Sequence, residues 1–172
     1  SLFEKQKNQI GLDISPEAIT AVIIAKEKKE LVLKNCFHQP IDEDIIQSGL
    51  IVKPDKLKKY LNDMIEKLKI ETRAVNISVP SNVAFIKTIT LPDLSREEMK
   101  VIIPQEAAKH MPLPDNQLNI DFEILESTRK TDQSAKKVDV VLVGLSKSIA
   151  KNNIDVLSDA GFDVTAIDVA PF

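Results

Sequence analysis

The sequence is poor in the residues that disulfides and metal centres require. Its 172 residues include a single cysteine, Cys36, with two histidines and no tryptophan. One cysteine cannot form an internal disulfide, which is typical of a protein of the reducing cytosol. Metal sites take several ligands at recognisable spacing, so we expect Cys36 and its neighbour His38 to be structural residues, and we expect no metal.

An excess of one charge and a long apolar run are also missing. The chain has 23 basic and 26 acidic residues, a net charge of -3. Proteins that bind nucleic acid carry a basic surface, so nucleic acid is not an expected partner. No stretch approaches the ~18 to 20 apolar residues that span a bilayer, and the N-terminal SLFEKQKNQ lacks the apolar core of a signal peptide. We expect a cytoplasmic chain that is neither secreted nor inserted into the membrane.

Signatures of catalysis are absent too. The sequence contains no GxSxG nucleophile motif and no P-loop. The pair Glu97-Glu98 matches the negative charge that the start of a helix favours, and His110 fits the end of the same helix. No catalytic residue is therefore predicted, and the chain is not expected to be an enzyme.

The first half of the chain predicts three strands, a helix and a fourth strand. Strands are indicated at Ile10–Ile14, Ile19–Ala25 and Leu31–Phe37, with short turns between them. Apolar residues at helical spacing predict a helix from Pro54 to Leu68, and the alternation around Val75–Val79 predicts the next strand. The segment from Gln39 to Lys53 is expected to connect these elements or to form one edge element.

The second half predicts a strand, a helix, two strands, a helix and a last strand. A strand from Val83 to Leu91 precedes the capping box of Ser95 and Glu98, which predicts a helix towards Met111 that Pro104 kinks or splits. Further predictions are a strand at Leu118–Leu125, a polar loop at Ser127–Lys137, a strand at Val138–Leu145 covered on both faces, a helix at Lys147–Ala160 that ends at Gly161, and a strand at Val164–Val169.

Several sequence blocks, in this order, resemble the first domain of the actin-like FtsA and PilM family, and their spacing is more similar to PilM members. They are Ile10-Gly11-Leu12-Asp13-Ile14-Ser15, Leu91-Pro92 with Ser95-Arg96-Glu97-Glu98, Gln105-Glu106 with Met111-Pro112-Leu113-Pro114, Ile120-Asp121-Phe122-Glu123-Ile124-Leu125, and Ala160-Gly161-Phe162-Asp163-Val164. The resemblance implies an α/β fold: an actin-like, ribonuclease H-like subdomain 1A with a mixed sheet, and an inserted strand-helix-strand-strand (SHS2-type) subdomain 1C.

The resemblance also implies domain boundaries. Subdomain 1A would take residues 3–80 and subdomain 1C residues 81–146, while residues 147–172 would form a closing helix and strand that return towards 1A. The chain stops directly after a strand-like run, which favours a piece of a larger protein.

By resemblance to PilM, the function would be that of a cytoplasmic scaffold in the inner-membrane platform of type IV pilus assembly. Its partner would be the N-terminal cytoplasmic tail of a PilN-like membrane protein, with other platform or ATPase components as further partners and with oligomerisation allowed. The tail would dock at the junction of 1A and 1C, near Pro80, Ser81, Asn82, Gly144 and Ser146.

The same resemblance implies a weakened nucleotide site at the first hairpin. Asp13 would lie near the metal and the γ-phosphate, but Ser15 stands where the family has glycine, Pro16 has no N–H, and Glu17 adds negative charge. We expect no cofactor in this chain, while ATP and Mg²⁺ stay open for an intact protein.

Two alternatives remain at this point. An ATP-dependent polymerising cell-division protein of the FtsA type would show filaments that depend on nucleotide. An enzyme of the wider actin-like sugar-kinase superfamily would share the fold of 1A without the 1C insert, and fold-level analogy alone does not exclude it.

Overall fold

A computed structural model describes residues 8–27, 30–112, 117–131 and 136–170. The chain divides into two compact units, Ser1–Pro80 with Ile149–Phe172, and Ser81–Ser148. The domain boundaries inferred from the sequence stay a prediction. Parts of several sequence features lie outside the described residues: the N-terminal segment 1–7, the turn at 28–29, the Leu113-Pro114 end of one motif, and residues 171–172.

The bounds of the elements follow the chain. The strands are β1 (Gln9–Ile14), β2 (Ala18–Glu27), β3 (Glu30–Pro40), β4 (Ile46–Gln47), β5 (Leu50–Ile51), β6 (Ala74–Val79), β7 (Ala84–Pro92), β8 (Leu118–Thr131), β9 (Lys136–Ser146) and β10 (Asp163–Val169). The helices are α1 (Pro54–Leu68), α2 (Arg96–His110) and α3 (Lys147–Asp159), with a short 3-10 helix at Ser81–Val83.

The first unit contains one five-stranded mixed sheet in the order β10-β6-β1-β2-β3. The three strands predicted at the start of the chain are confirmed, and they form a β-meander, because β1 pairs with β2 and β2 with β3, both antiparallel. Strand β6 runs parallel to β1, and β10 runs parallel to β6. The parallel strands therefore end at the same edge of the sheet, which is where Asp13 lies.

One face of this sheet forms the core of the first unit. Alternate residues of β1, β2 and β6 are buried and form one cluster with side chains of α1 and α3, among them Ile10, Leu12, Ile23, Val75, Leu57, Leu61, Met64 and Leu157. The intervening residues of β1 and β2, from Gly11 to Ile24, are half-buried wherever they face the other way. The alternation predicted for Val75–Val79 is also confirmed, because Val75, Ile77 and Val79 are buried while Asn76 and Ser78 are not.

The connection between β3 and α1 differs from a plain linker. Its short strands β4 and β5 pair with each other and belong to neither larger sheet. Ser48 and Gly49 have positive φ angles of 49° and 80° between these strands, which gives a tight turn. Helix α3 holds this hairpin, because Asn152 Oδ1 accepts a hydrogen bond from the N–H of Ile51 at 2.7 Å.

The second unit is a three-stranded antiparallel sheet, in the order β7-β9-β8, with α2 on one face. Its core combines Met99, Ile103 and Ala107 of α2 with strand residues, among them Leu91, Phe122, Ile124, Val138, Val140 and Leu142. The strand-helix-strand-strand order predicted for the insert is therefore confirmed.

The start of α2 follows the prediction, but its interior does not. Ser95 and Glu98 form both hydrogen bonds of the capping box. Pro104 was expected to kink or split the helix, and the splitting is wrong, because α2 is one element from Arg96 to His110. Pro104 removes the hydrogen bond to the carbonyl of Lys100, and both residues are exposed, so water can satisfy this carbonyl.

The hairpin of β8 and β9 corrects two further predictions. The polar loop at Ser127–Lys137 is wrong at both ends, because β8 continues to Thr131 and β9 begins at Lys136, while residues 132–135 lie outside the described residues. The register of β8 and β9 shifts between Leu125 and Lys130. In this part of the hairpin Thr128 Oγ1 accepts a hydrogen bond from the N–H of Asp139 at 2.8 Å, in place of a backbone hydrogen bond between the strands. Strand β9 is fully buried on one face only, since Asp139, Val141 and Val143 are half-buried.

The end of α3 is as predicted. Gly161 follows the helix with φ of +88°, a conformation that favours glycine, and β10 begins two residues later. In the part of the chain that the structure describes, no helix is long and apolar enough to cross a bilayer.

Candidate functional site

The turn between β1 and β2 is closed by its own serine. The backbone N–H of Ser15 donates to the carbonyl of Ala18 at 3.0 Å. The Ser15 hydroxyl oxygen in turn accepts hydrogen bonds from the N–H groups of Glu17 at 3.4 Å and Ala18 at 3.3 Å. Because Pro16 has no N–H, every backbone donor from residue 15 to residue 18 is used or missing.

This hydrogen bonding decides what the turn can do chemically. A phosphate loop binds anions through several free backbone N–H groups that point at one place. The turn from Ser15 to Ala18 offers none, and the exposed carboxylate of Glu17 repels anions. These residues therefore do not fit a firmly held phosphate in this conformation. The prediction that Asp13 and Ser15 belong to a nucleotide site stays a prediction.

Asp13 lies half-buried at the end of β1, between Ser78 on β6 and Thr20 on β2. Burial raises the pKa of the Asp13 carboxyl above its ordinary value, the negative charge of Glu17 acts in the same direction, and a hydrogen bond from Ser78 opposes them. A nearby positive charge would favour the ionised form of this carboxyl group.

The register of the sheet extends this polar group into a row across all five strands. Asp168 pairs with Ser78, Asp13 lies between Ser78 and Thr20, and Thr20 pairs with His38. The Thr20 hydroxyl is 2.9 Å from His38 Nδ1. Sequence reasoning singled out Asp13 but missed the rest of the row, because only the pairing of distant strands brings these residues together. Among the described residues no group of three or more His, Cys, Asp or Glu side chains could hold a metal ion.

The predicted docking residues lie in both units. Pro80 is the last residue of its segment of the first unit, and the other four residues belong to the second. Within the second unit Ala84 pairs with Leu145, so the 3-10 helix that begins with Ser81 and Asn82 lies at the same end of the sheet as Ser146. Asn82 is exposed, whereas Ser146 is half-buried with its hydroxyl 2.8 Å from that of Ser148.

Gly144 has a structural reason to be glycine. It lies on the face of β9 that carries α2, where an added Cβ would be 2.8 Å from Met111 Sδ and 3.0 Å from Met111 Cε. The close approach of the end of α2 to β9 therefore depends on the missing side chain. This packing contact gives Gly144 a role that does not involve a partner.

In the sheet of the first unit, the antiparallel strands β1, β2 and β3 are joined by the parallel strands β6 and β10. This sheet, together with the strand-helix-strand-strand insert, defines an actin-like α/β protein. A family model described as type IV pilus assembly protein PilM matches residues 11–172, and the chain belongs to this family.

Solved structures of low sequence identity share the fold. A chain of a PilM-PilN type IV pilus biogenesis complex superposes with a TM-score of 0.81 at 18% identity, covering 95% of this chain and 48% of that one. The cytoplasmic domain of EpsL, an inner membrane component of the type II secretion system of Vibrio cholerae, gives a TM-score of 0.56 at 14% identity, covering 94% of this chain and 57% of that one. The chain therefore spans about half the length of these structures.

Proposed function

We propose that the chain is a docking part of a scaffold in type IV pilus assembly, and that it binds the N-terminal cytoplasmic tail of a PilN-like inner-membrane protein. The observation that carries the proposal is the family match over residues 11–172. The structure it resembles with a TM-score of 0.81 comes from a complex of PilM with PilN, which supports the choice of partner. In this proposal the scaffold is cytoplasmic and is held at the inner membrane through its partner.

The closed first hairpin supports a role that is not enzymatic. The Ser15 hydroxyl occupies the N–H groups of Glu17 and Ala18, so a phosphate bound there would have to displace it. Use of ATP and Mg²⁺ by an intact protein would therefore require this turn to open. Tail binding requires no such change.

The proposed contact residues are those around the 3-10 helix and the end of β9. Asn82 is exposed and Ser146 is half-buried, so a peptide can contact both side chains. Gly144 contributes indirectly, because it allows Met111 to pack on β9. Pro80 has a restricted φ angle just before the 3-10 helix, and Ser81 is the first residue of that helix.

A calorimetric titration with the synthetic tail of a PilN-like protein tests this proposal. Asn82→Arg introduces a long charged side chain at the proposed contact, and we expect the tail to bind at least about tenfold more weakly. Asn62→Arg is the matched control, because Asn62 is also exposed but lies on α1. Absence of binding heat with both this chain and the full-length protein, or an equal affinity for both variants, would contradict the proposal.

A further inference from the structure

The second unit has an apolar stripe on the face of its sheet that does not carry α2. Register places Ile86, Val143 and Asp121 in one row, then Thr88, Val141 and Glu123, then Thr90, Asp139 and Leu125. The stripe consists of Ile86, Val141, Val143 and Leu125. We call this surface the acidic sheet face, and it is defined by these three rows.

The apolar side chains of this face lie on all three strands, and each of them is partly open to solvent. Ile86 is 38% exposed, and Val141, Val143 and Leu125 are half-buried. The opposite face of the same strands is closed by α2, where Val140 and Leu142 have no exposed surface. An apolar stripe with polar margins is typical of a protein interaction surface.

The charges beside the stripe have one sign. Asp121 and Glu123 follow one another along β8 on this face, both exposed, and Asp139 lies in the next row. These three acidic residues are the charged members of the three rows, and Lys137, which pairs with Pro92, lies beyond the last row. Arg96 reaches Glu123 at only 3.6 Å, with both side chains more than half exposed, so this ion pair is weak and can be exchanged.

The distance between the outer strands of the sheet determines which element of a partner fits on this face. Neighbouring strands lie about 4.8 Å apart, so β7 and β8 are separated by about 10 Å. An α-helix with its side chains is about 10–12 Å across, and it would cover the stripe while one flank lay over Asp121 and Glu123. Basic side chains on that flank would complement these carboxylates.

We infer that the acidic sheet face binds an amphipathic helix of a partner protein, with apolar residues on the stripe and with lysine or arginine residues along the flank that faces β8. The surface is distinct from the residues proposed for the PilN-like tail. The inference therefore does not depend on the proposed function.

The test uses the whole chain and a defined probe. The probe is a synthetic peptide of about 18 residues with leucines at helical spacing and lysines along one flank, and the control peptide carries glutamates in place of the lysines. We expect NMR amide shifts to change at Thr88, Val141 and Val143 when the lysine peptide is added, and the glutamate peptide to bind at least about tenfold more weakly.

Charge-reversal variants test whether the peptide binds at this surface or is attracted only by the net charge of the chain. Asp121→Lys with Glu123→Lys should weaken the lysine peptide at least about tenfold, and the neutral pair Asp121→Asn with Glu123→Gln should weaken it less. The matched control, Glu97→Lys with Glu106→Lys on α2, changes the net charge equally and should alter affinity by less than about twofold. If the charge-reversed pair does not fold, the neutral pair decides. Shifts elsewhere on the chain, equal loss in the control pair, or equal binding of both peptides would overturn the inference.

Discussion

At the scale of single residues, Ser15 closes the turn between β1 and β2 with its own backbone N–H and hydroxyl group. The resemblance to the family implied that serine stands where glycine is expected, and the sequence showed that the next residue is Pro16, which lacks an N–H. It could not show that the serine hydroxyl accepts two of the remaining N–H groups, because that depends on the backbone of the folded turn. The sequence therefore gives the identity of this residue, while its hydrogen bonds follow only from the structure.

Asp13 gives a prediction that depends on pH. Burial raises its pKa in the folded protein, so the folded chain binds more protons than the unfolded chain just above the usual range of aspartate. Ionisation of Asp13 therefore costs stability as the pH rises through that range. Asp13→Asn should raise the midpoint of thermal unfolding at about pH 7 and leave it unchanged at about pH 3, where aspartate is mostly protonated in both states.

Unfolding curves of the two proteins at both pH values check this. The variant keeps the shape of the side chain and an oxygen that can accept the Ser78 hydrogen bond. A difference in midpoint that is the same at both pH values would show that the charge of Asp13 is not the cause.

Gly144 gives a prediction about packing. The Cβ of Gly144→Ala would be 2.8 Å from Met111 Sδ, so the flexible end of Met111 has to move, and we expect a loss of less than about 1 kcal/mol in the free energy of unfolding. In a Met111→Ala background the same substitution should cost clearly less, because the clashing atoms are gone. Denaturant unfolding of the four proteins measures this. An equal cost of Gly144→Ala in both backgrounds would disprove the contact as its cause.

At the scale of elements, the sequence predicted the parts whose signals are local. The capping box of Ser95 and Glu98 marked the start of α2, and Gly161 marked the end of α3, because both signals lie within a few residues of the helix end. The length of the β8–β9 hairpin was not predictable in this way. Its polar outer part pairs across the hairpin although no apolar alternation continues there.

A prediction at this scale concerns how α3 holds the β4–β5 hairpin. Asn153 is 5% exposed, and its Nδ2 donates to the carbonyls of Gly49 at 3.0 Å and Ile149 at 2.9 Å. Asn153→Ala removes both hydrogen bonds, and at about 0.5–1.5 kcal/mol for each bond we expect a loss of about 1–3 kcal/mol in the free energy of unfolding.

Chemical denaturation measures this loss, and Asn62→Ala on the exposed face of α1 serves as the control with almost no expected change. Sequence periodicity did not single out Asn153, since a polar residue on the apolar face of a helix has no signal until its partner is known. A stability equal to that of the Asn62→Ala protein would mean that the hairpin is held without Asn153.

A second prediction tests the capping box. Ser95→Ala removes the hydroxyl that accepts the N–H of Glu98 at 3.3 Å, while the N–H of Ser95 still donates to the Glu98 carboxylate at 2.8 Å. We expect the free energy of unfolding to fall by about 1 kcal/mol. Ser95→Thr, whose hydroxyl can both accept the N–H of Glu98 and donate to its carboxylate, should restore most of this loss in the same denaturation experiment. Equal stability of the two variants would show that the serine hydroxyl does not cap α2.

At the scale of the whole molecule, the order of the motifs carried more information than any one of them. Blocks from Ile10 to Val164 were enough to predict an actin-like sheet with a strand-helix-strand-strand insert, and the family match confirms the family. The polar row from Asp168 to His38 and the acidic sheet face could not be predicted, because each arises from the pairing of strands far apart in sequence.

The central claim is that this chain docks the tail of a PilN-like protein and needs no nucleotide to do so. The most direct measurement is a calorimetric titration of the chain, with the full-length protein in parallel, by the tail peptide in the absence and presence of ATP and Mg²⁺. We expect one binding site, with a Kd that changes by less than about twofold when ATP is added, because the Ser15 turn has no free N–H groups for phosphate. Binding that occurs only with ATP, or no binding in either condition, would contradict the claim.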